Sequence, residues 1–467
     1  EVIGTVNEIN DQYIIFNVGD RQKKYPIDDV LNIDLRKQRD GDHWKTEADI
    51  DDPLLDSLLK NLPDTEDFYY EDFITLFSQI EYKLSDDSLL YMTTRTVKYV
   101  VNESGKSPAG RYEFTYFKDI QDLEIIHARS ITAEGKVFHL DDAALEFGSP
   151  YGDMLVYDRM VRVKFALGEV NIGSVVDVMI TKKFGKIDHN NPVVVTEYFS
   201  DFQSRYNQRV FIEVASKNKN LVSLTSEGIE DDEMIDGDYT TYSFKMDYSE
   251  PLFEEIFYPS LATLSPYVYA IFSVDLDDRY GETINSLIDN EDAVKSIVDS
   301  LKNSEADLLS GIYRYVVDNY TLKGPSYSHF SIYPRQISEI LSGGFGNDLD
   351  RSFLLYALLK RALYQAELVF IPSYEQPFSH LIDNGHIFHN INPLCFEAPA
   401  VLVDDELLFV ASDNNQLGAL PSDYQRQAVV SFSDNGVVLK PNNSPIGIES
   451  KMKSINIKST LSLLVPM

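Results

Sequence analysis

The pattern of apolar and polar positions divides the chain into a long strand-like part and a shorter helix-like part, which meet between residues 265 and 285. From about 70 to 260, short apolar runs are separated by turn residues at regular intervals. That spacing is typical of an all-β sandwich, which we predict over 70–265. The runs that support it are 91–101, 111–117, 123–131, 160–167, 174–184, 193–199, 208–214 and 242–246.

The N-terminal residues also alternate, in shorter runs. Apolar positions at 2–6, 13–18 and 30–33 are separated by turn residues such as Asn10 and Gly19. We interpret 1–35 as a small SH3-like β-barrel fragment that lacks its first strand. Residues 36–69 are polar and acidic apart from one helix candidate at 53–62, and they are interpreted as an acidic linker.

After residue 285 the apolar period changes to that of helices. Segments 293–301 and 306–319 place apolar residues at i, i+3, i+4 and i+7, and a third short helix is predicted at 334–341. A helix over 352–363 is apolar nearly all round, so we expect it to be buried. Strand-like runs follow at 367–371, 400–403 and 406–410.

Helices followed by a small antiparallel sheet predict an α+β domain, which we place at 280–425. Residues 426–467 return to a strand-like pattern and are interpreted as the start of a C-terminal β-domain. The chain begins with Glu1 inside a strand-like run and ends in an apolar run. We therefore expect further sequence on both sides.

A Gly-rich turn leads into the apolar helix and carries two carboxylates, Asp348 and Asp350. The first N–H groups of a helix are unpaired and the helix dipole favours negative charge there. Aspartate is also a favoured N-cap, so we predict that Asp348 caps the helix. The alternative is that Asp348 and Asp350 form a carboxylate pair with acid–base or metal chemistry.

The turn resembles a motif of the bacterial transglutaminase-like family, which belongs to the papain-like cysteine-hydrolase class. The family motif reads roughly G-[YF]-G-D-C-K-D-[KR], and this chain matches it at Gly344, Phe345, Gly346, Asp350 and Arg351. Phrases at 129–135, 157–165 and 170–177 also resemble the β-rich domain of unknown function that often precedes such domains. The resemblance covers about 70–450.

The resemblance implies that the catalytic residues of the family are replaced. The nucleophilic cysteine corresponds to Asp348. The segments 396–403 and 408–421 resemble the family's histidine and aspartate phrases, and they place Ala398 and Val410 at those positions, with Asp413 close to the last. We therefore predict a pseudoenzyme with no catalytic residues.

A groove suited to a polypeptide segment is implied by the same family. Its candidate contacts are Tyr327, Tyr333, Phe345 and Asp350. We expect a protein or peptide partner, and a binding or structural role in a bacterial cell-envelope or extracellular assembly. A related hypothesis makes the chain one subunit of a larger complex.

The charge balance limits the other partners. Asp+Glu is 75 against Lys+Arg 41, a net charge of −34, which argues against nucleic acid and anionic membranes. An acidic surface most often serves solubility, and a cation-binding or basic-partner surface is the alternative. No apolar run is long enough for a membrane span, and no nucleotide or redox motif is present, so we expect no cofactor.

The only cysteine is Cys395, which we expect to be half-buried and inert. Such sparing use of cysteine, together with the family's usual setting, predicts export to the periplasm or cell surface, with the signal segment outside this sequence.

A second function class keeps the chain an enzyme. His380, His386 and His389 lie in one loop and could bind Zn²⁺, although their spacing matches no structural zinc pattern and favours a polar surface loop. With Asp348 and Asp350 they would make a hydrolase or peptidase with a non-standard site, with or without a metal. Acidic clusters at 49–52, 230–233 and 275–278 are interpreted as solvated loops rather than Ca²⁺ sites.

Overall fold

The computed structural model describes residues 5–9, 13–18, 21–26, 46–47 and 52–440. Gaps in the last range fall at 69, 153, 254–258, 277–278, 373–376, 378–388, 405, 413–416, 422–423, 426–427 and 434–435. The described residues form six β-sheets and eight helices, and none of the sheets closes into a barrel. The chain is therefore strongly β-rich, as predicted.

The described residues of the β-rich part form eighteen strands and three short α-helices. The helices are α1 (Pro53–Lys60), α2 (Lys106–Gly110) and α3 (Leu261–Leu264). The strands are β1 (Thr5–Ile9), β2 (Tyr13–Val18), β3 (Arg21–Pro26), β4 (Thr46–Glu47), β5 (Phe73–Leu84), β6 (Leu89–Val100), β7 (Arg111–Phe117), β8 (Asp122–Ile131), β9 (Val137–His139), β10 (Glu146–Gly148), β11 (Met160–Ala166), β12 (Val175–Lys186), β13 (Val193–Tyr198), β14 (Arg205–Ala215), β15 (Val222–Glu227), β16 (Asp231–Asp236), β17 (Tyr239–Ser249) and β18 (Tyr267–Phe272).

The N-terminal strands β1, β2 and β3 pair in order as an antiparallel sheet. In the described residues this sheet is open, and the interpretation of 1–35 as an incomplete SH3-like barrel stays a prediction. The predicted acidic linker at 36–69 is corrected where the structure describes it. Strand β4 pairs with β9, and Leu55 of α1 is fully buried against the large sheet, because the apolar face of this short helix needs cover.

The centre of the β-rich part is a nine-stranded sheet with the order β16-β17-β14-β5-β6-β12-β8-β9-β4. Two three-stranded sheets pack against it, β10-β11-β7 and β13-β18-β15. Long strands with alternating buried positions, such as β14 and β17, give the large sheet faces that each of the smaller sheets can cover.

Strand β18 joins the two parts of the chain because both of its faces are buried. Val268, Ala270 and Phe272 pack into the core of the β-rich part. The alternate residues, including Tyr269 and Ile271, pack into the core of the helix-rich part. The strand lies beyond the predicted boundary at 265 but pairs with β13 and β15, so sheet pairing extends the β-rich part to Phe272.

The described residues of the helix-rich part form five α-helices and seven strands. The helices are α4 (Arg279–Ser286), α5 (Glu291–Ser304), α6 (Leu308–Asn319), α7 (Ile337–Gly343) and α8 (Asp348–Arg361). The strands are β19 (Thr321–Leu322), β20 (Phe345–Gly346), β21 (Ala366–Ile371), β22 (Ala398–Val403), β23 (Glu406–Leu408), β24 (Val429–Ser433) and β25 (Gly436–Lys440).

Helix α8 is the centre of this part. Eleven of its residues are buried, as its apolar sequence predicts, and it packs on β21 and β22 and against α5 and α6. The sheet has the order β23-β22-β21-β24-β25. Because β24 pairs with β21 and β25 pairs with β24, these two strands belong to this sheet, and their assignment to a separate C-terminal β-domain is corrected.

Candidate functional site

The candidate site lies at the start of α8, where a capping box fixes the backbone. Asn347 is the N-cap, and its side-chain oxygen accepts a hydrogen bond from Asp350 N at 2.9 Å. Asp350 Oδ2 accepts in return from Asn347 N at 3.2 Å. The sequence prediction that Asp348 is the cap is therefore wrong by one residue: Asp348 is the first residue of the helix.

Asp348, at the predicted nucleophile position, is half-buried and accepts three hydrogen bonds from neutral donors. Its Oδ1 accepts from Tyr327 N at 2.8 Å and Leu349 N at 2.9 Å, and its Oδ2 accepts from the Ser326 hydroxyl at 2.6 Å. Burial raises the pKa of Asp348, these hydrogen bonds oppose the rise, and the nearby Asp350 carboxylate adds to it. The group therefore takes up a proton more readily than an exposed aspartate.

The segments that carry Ala398 and Val410 lie beside this turn. Ser352, one turn along α8, donates through its hydroxyl to Asp348 O at 2.9 Å and lies 3.3 Å from Pro399 O, next to Ala398. Arg351 Nη1 donates to Ser412 O at 3.3 Å, two residues beyond Val410. Ala398 and Val410 are both buried, and neither side chain can transfer a proton. Asp413 lies outside the described residues.

Asp350 is held inside the protein by Arg335. The Asp350 Oδ2 atom lies 2.8 Å from Arg335 Nε, and its Oδ1 accepts from Arg335 N at 2.8 Å. Arg335 Nη2 also donates to Phe345 O at 2.7 Å. A Cβ on Gly346 would lie 2.6 Å from the Asp350 Cβ, so the turn requires glycine there. Both oxygens of the Asp350 carboxylate therefore accept hydrogen bonds from within the protein, from Arg335 and Asn347.

The other predicted groove contacts divide into internal and surface residues. Tyr327 is fully buried, and its hydroxyl lies 2.9 Å from Pro393 O and 2.6 Å from Phe396 O, so it belongs to the core. Tyr333 is half-buried and stacks on Tyr280 with ring centres 5.2 Å apart. Phe345 is also half-buried. Of the four candidates, only Tyr333 and Phe345 reach the surface, because Asp350 is also internal.

One residue at this site was not predicted: Tyr157, which reaches it from the β-rich part. It ends a short 3₁₀ turn, Leu155–Tyr157, and is fully buried. Its ring lies 5.0 Å from the ring of Phe330 and 6.4 Å from that of Phe345, and its hydroxyl donates to Lys323 O at 3.3 Å. A Cβ on Gly324 would lie 2.3 Å from the Tyr157 ring.

Tyr157 lies close to the charged groups at the start of α8, with the Arg335 Cζ atom 5.9 Å from the centre of its ring. Burial raises the pKa of its hydroxyl first, and the Asp350 carboxylate raises it further, whereas Arg335 opposes the shift. Asp348 also contributes to the rise, and the backbone N–H of Asn347 opposes it. A fragment of the β-rich part therefore covers the turn that carries Asp348. The sequence around Tyr157 gave no signal of this contact, because it joins residues far apart in the chain.

The candidate metal and thiol groups are placed elsewhere. His380 and His386 lie outside the described residues. His389 is exposed in a turn, and its carbonyl accepts from the Ser223 hydroxyl at 2.7 Å. In the described part of the chain, no group of three potential metal ligands comes together. Cys395 is fully buried rather than half-buried, and burial raises the pKa of its thiol to about 11.

No helix within the described ranges is both long enough and apolar enough to cross a membrane.

Comparison with known families identifies part of the chain. A family model described as a domain of unknown function with a solved structure (DUF3857) matches residues 86–253. The prediction that the β-rich part contains a domain of unknown function is confirmed over these residues. No curated protein matches the chain.

Comparison with solved structures gives a match at the level of the fold. It is a crystal structure named as that of a "putative protease" from Parabacteroides distasonis, with a TM-score of 0.65 and 14% sequence identity. The match covers 80% of this chain and 72% of that chain. At this identity the match shows a shared fold, which includes both parts of the chain.

Two other solved structures share little geometry with this chain. An M1 zinc metallopeptidase from Deinococcus radiodurans is 7% identical, over 43% of this chain and 42% of that one, with a TM-score of 0.22. A CBM3a-L domain from a Clostridium thermocellum scaffoldin is 10% identical, over 24% and 67%, with a TM-score of 0.15. Neither supports an argument about this protein.

Proposed function

We propose that the chain is a catalytically inactive transglutaminase-like protein that acts as a binding or structural component of a bacterial cell-envelope or extracellular assembly. The observation that carries the proposal is the environment of Asp348. A cysteine hydrolase needs a thiolate at this helix start and a base within hydrogen-bond reach. Here the position holds a carboxylate whose hydrogen bonds go to Ser326, Tyr327 and Leu349.

The two neighbouring segments support the same conclusion. Ala398 and Val410 lie on elements joined to the first turn of α8 through Ser352 and Arg351. Neither residue can act as a base or orient one. By the correspondence that the resemblance implies, the site keeps the backbone arrangement of the family and lacks its proton-transfer groups.

The contact of Tyr157 supports a structural use of the groove. Its ring packs against Gly324 and Phe345 beside the α8 turn, in the place where the resemblance puts a polypeptide ligand. We infer that the occupant of the groove is the chain's own Tyr157 side chain, which fixes the β-rich part to the helix-rich part. An external partner then requires a different surface.

The cellular setting is part of the proposal. Export is implied by the usual setting of the family that the chain resembles, and the use of a single cysteine, Cys395, agrees with it. Fractionation of cells that produce the full-length protein tests this, and recovery in the cytoplasm alone would contradict it.

Activity measurements on the purified chain test the proposal. Casein, a fluorogenic peptide mixture and an activated ester report hydrolysis, and incorporation of a dansylated amine into casein reports acyl transfer. We expect rates equal to the buffer blank for the natural chain and for the Asp348→Asn variant. Turnover in any assay that survives repurification would show that the chain is an enzyme.

The alternative hypothesis is a hydrolase or peptidase that uses Asp348, and the raised pKa of this residue favours it, because a protonated carboxyl can act as a general acid. It predicts turnover that is lost in Asp348→Asn. A metal-dependent version also predicts stoichiometric Zn²⁺ in the purified protein that is lost in His389→Ala. Turnover unaffected by Asp348→Asn would exclude Asp348 as the acid.

A further inference from the structure

A second site lies at the open end of the β-rich part, where two edge strands leave a cleft between the sheets. The cleft has a volume of about 420 Å³. One wall comes from β14 and β17, through Val214, Tyr242 and Phe244, and the other from β15, through Val222 and Leu224. We call it the β15–β16 cleft. It is separate from the Asp348 site.

Both strands at its mouth are sheet edges among the described residues. Strand β15 ends the order β13-β18-β15, and β16 ends the nine-stranded order. All six residues of β16 are exposed, including Met234 at 59% and Ile235 at 68%. An exposed edge that carries apolar side chains is a template for pairing with another strand.

The register of β16 shows which side chains face the cleft. Asp231 pairs with Phe244, Glu233 with Tyr242 and Ile235 with Thr240. Directly opposed residues lie on the same face of a sheet. Because Phe244 and Thr240 are buried on the inner face, Asp231, Glu233 and Ile235 belong to that face as well. Ile235 is nevertheless exposed, so the sheet that contains β15 stops before it covers β16.

One additional strand would complete this arrangement. A segment paired with the free edge of β15 would lie opposite β16, satisfy the backbone groups of that edge and bury Ile235 against its own inward side chains. Its inward residues would recur every second position, with the same spacing as Asp231, Glu233 and Ile235.

The charged side chains around the cleft indicate which kind of strand would bind there. The cleft wall contains one cation, Lys219, whose Nζ lies 3.8 Å from Glu233 Oε1. Against it stand two inward carboxylates, Asp231 and Glu233. The Glu233 and Asp231 charges also help to raise the pKa of the Tyr242 hydroxyl, after burial as the largest cause. An occupant that brings positive charge would relieve this excess.

We propose that the β15–β16 cleft binds an extended segment of a partner protein by strand addition to β15. The segment would carry two basic residues and one apolar residue at successive inward positions, opposite Asp231, Glu233 and Ile235. This inference goes beyond the proposed function, since it does not use the α8 site.

Two acetylated peptides of about nine residues are the probes, Lys-Thr-Lys-Thr-Ile and the reversed Ile-Thr-Lys-Thr-Lys at their centres, because strand addition can be parallel or antiparallel. Fluorescence anisotropy at about 0.15 M salt measures binding to the full chain while exposed long-range charges are screened. The negative control is the same peptide with one central Thr replaced by proline, which keeps its charge, because proline removes a ladder hydrogen bond.

The matched variants are Glu233→Lys and Asp232→Lys, which make the same charge change on opposite faces of one exposed strand. We expect Glu233→Lys to weaken binding about tenfold, since it replaces an attraction with a repulsion, and Asp232→Lys to weaken it less than about threefold. Ile235→Ser should weaken binding more than Met234→Ser. Amide hydrogen exchange should slow over Val222–Glu227 when the peptide is bound.

Three results would overturn the proposal: no binding by either peptide, equal loss in Glu233→Lys and Asp232→Lys, or unchanged exchange over β15. The Asp348→Asn variant should bind the peptide as the natural chain does. Peptide binding in an active enzyme would contradict only the proposed function, and an inactive chain that fails to bind would contradict only this inference.

Discussion

The β-rich part and the helix-rich part each contain an aspartate that is shielded from water, Asp177 and Asp348. The groups that contact the two carboxylates are of opposite kinds. Asp177, on β12, is fully buried beside two guanidinium groups and an imidazole: Arg95 Nε lies 3.0 Å from its Oδ1, Arg129 Nη2 lies 2.7 Å from its Oδ2, and His127 Nε2 lies 3.1 Å from its Oδ2. Asp348 receives hydrogen bonds from a hydroxyl and two backbone N–H groups.

The pKa values of the two groups shift accordingly. Burial alone would raise the pKa of Asp177, but the hydrogen bonds from His127 and Arg95 hold it well below its usual range. Burial raises the pKa of Asp348, and its neutral donors only partly reverse the rise. A buried carboxylate is stable as an anion when cations surround it, and it tends to take up a proton when they do not.

The difference shows what each aspartate does. The Asp177 cluster joins three strands, and it reaches α1 because Arg95 Nη2 and Arg129 Nη2 also bind Asp52 Oδ2, at 2.5 and 2.9 Å. It is a structural ion cluster. Asp348 instead accepts its hydrogen bonds from the neutral donors of Ser326, Tyr327 and Leu349, although a perturbed pKa is often taken to suggest catalysis. A shifted pKa by itself shows that the carboxyl group is buried. The residues that contact the group show whether it stabilises the fold or has another role.

The largest expected effect is that of Asp177→Asn. The change leaves Arg95 and Arg129 with an incomplete counter-charge in the interior, which should lower the free energy of unfolding by about 3–5 kcal/mol. Urea unfolding followed by circular dichroism measures it. Asp247→Asn, on the exposed face of β17, is the control and should stay within about 0.5 kcal/mol. A loss of unfolding free energy for Asp177→Asn no greater than that of the control would contradict the structural role of the ion cluster.

The next largest expected effect is that of Tyr157→Ala, which removes a side chain that joins the two parts of the chain. Truncation of a fully buried aromatic side chain should cost about 3 kcal/mol, whereas Leu155→Ala, in the same turn but 88% exposed, should cost less than about 0.5 kcal/mol. Proteolysis of the native protein should become faster in Tyr157→Ala alone. Equal rates in the two variants would contradict the docking role of this residue.

A double-mutant cycle with Gly324→Ala sharpens the test. The natural Gly324 has a φ of +107°, and a Cβ there would collide with the Tyr157 ring. Gly324→Ala should therefore be costly in the natural chain, and less costly in Tyr157→Ala, where only the backbone strain remains. Additive losses would mean that the two residues are not in contact in solution.

The periodic elements could be predicted from sequence, because their apolar spacing is local information. The runs at 111–117 and 160–167 coincide with β7 and β11, and the apolar helix coincides with α8. The helix begins earlier than predicted because Asn347 and Asp350 form a capping box. That box is visible in the sequence as an Asn followed three residues later by an Asp.

Elements that depend on distant partners could not be predicted. The acidic run 230–233 was interpreted as a solvated loop, but 231–236 forms strand β16 because β17 supplies its hydrogen bonds. Asp52 was assigned to another acidic loop, but it caps α1 and binds Arg95 and Arg129. The Tyr157 contact likewise depends on how the two parts dock.

The smallest expected effect is that of Asp348→Asn on the free energy of unfolding. Its dependence on pH distinguishes Asp348 from Asp177. At neutral pH we expect the variant to lie within about 1 kcal/mol of the natural chain, since the lost charge was poorly stabilised and only hydrogen bonds change. The folded-state pKa of Asp348 is raised, so its ionisation costs stability above that pKa. As the pH falls through that pKa toward the unfolded value of about 3.9, the natural chain gains stability and the variant does not.

Asp177→Asn should show the opposite trend. The folded-state pKa of Asp177 is lowered, so its contribution is present above about pH 3.9 and is lost as the pH falls below that value. The free energy of unfolding of the variant minus that of the natural chain should therefore rise on acidification for Asp177→Asn and fall for Asp348→Asn. Urea titrations between about pH 7 and 3 measure both differences. Trends of the same sign would mean that the two aspartates are solvated alike, because only opposite partners can give opposite signs.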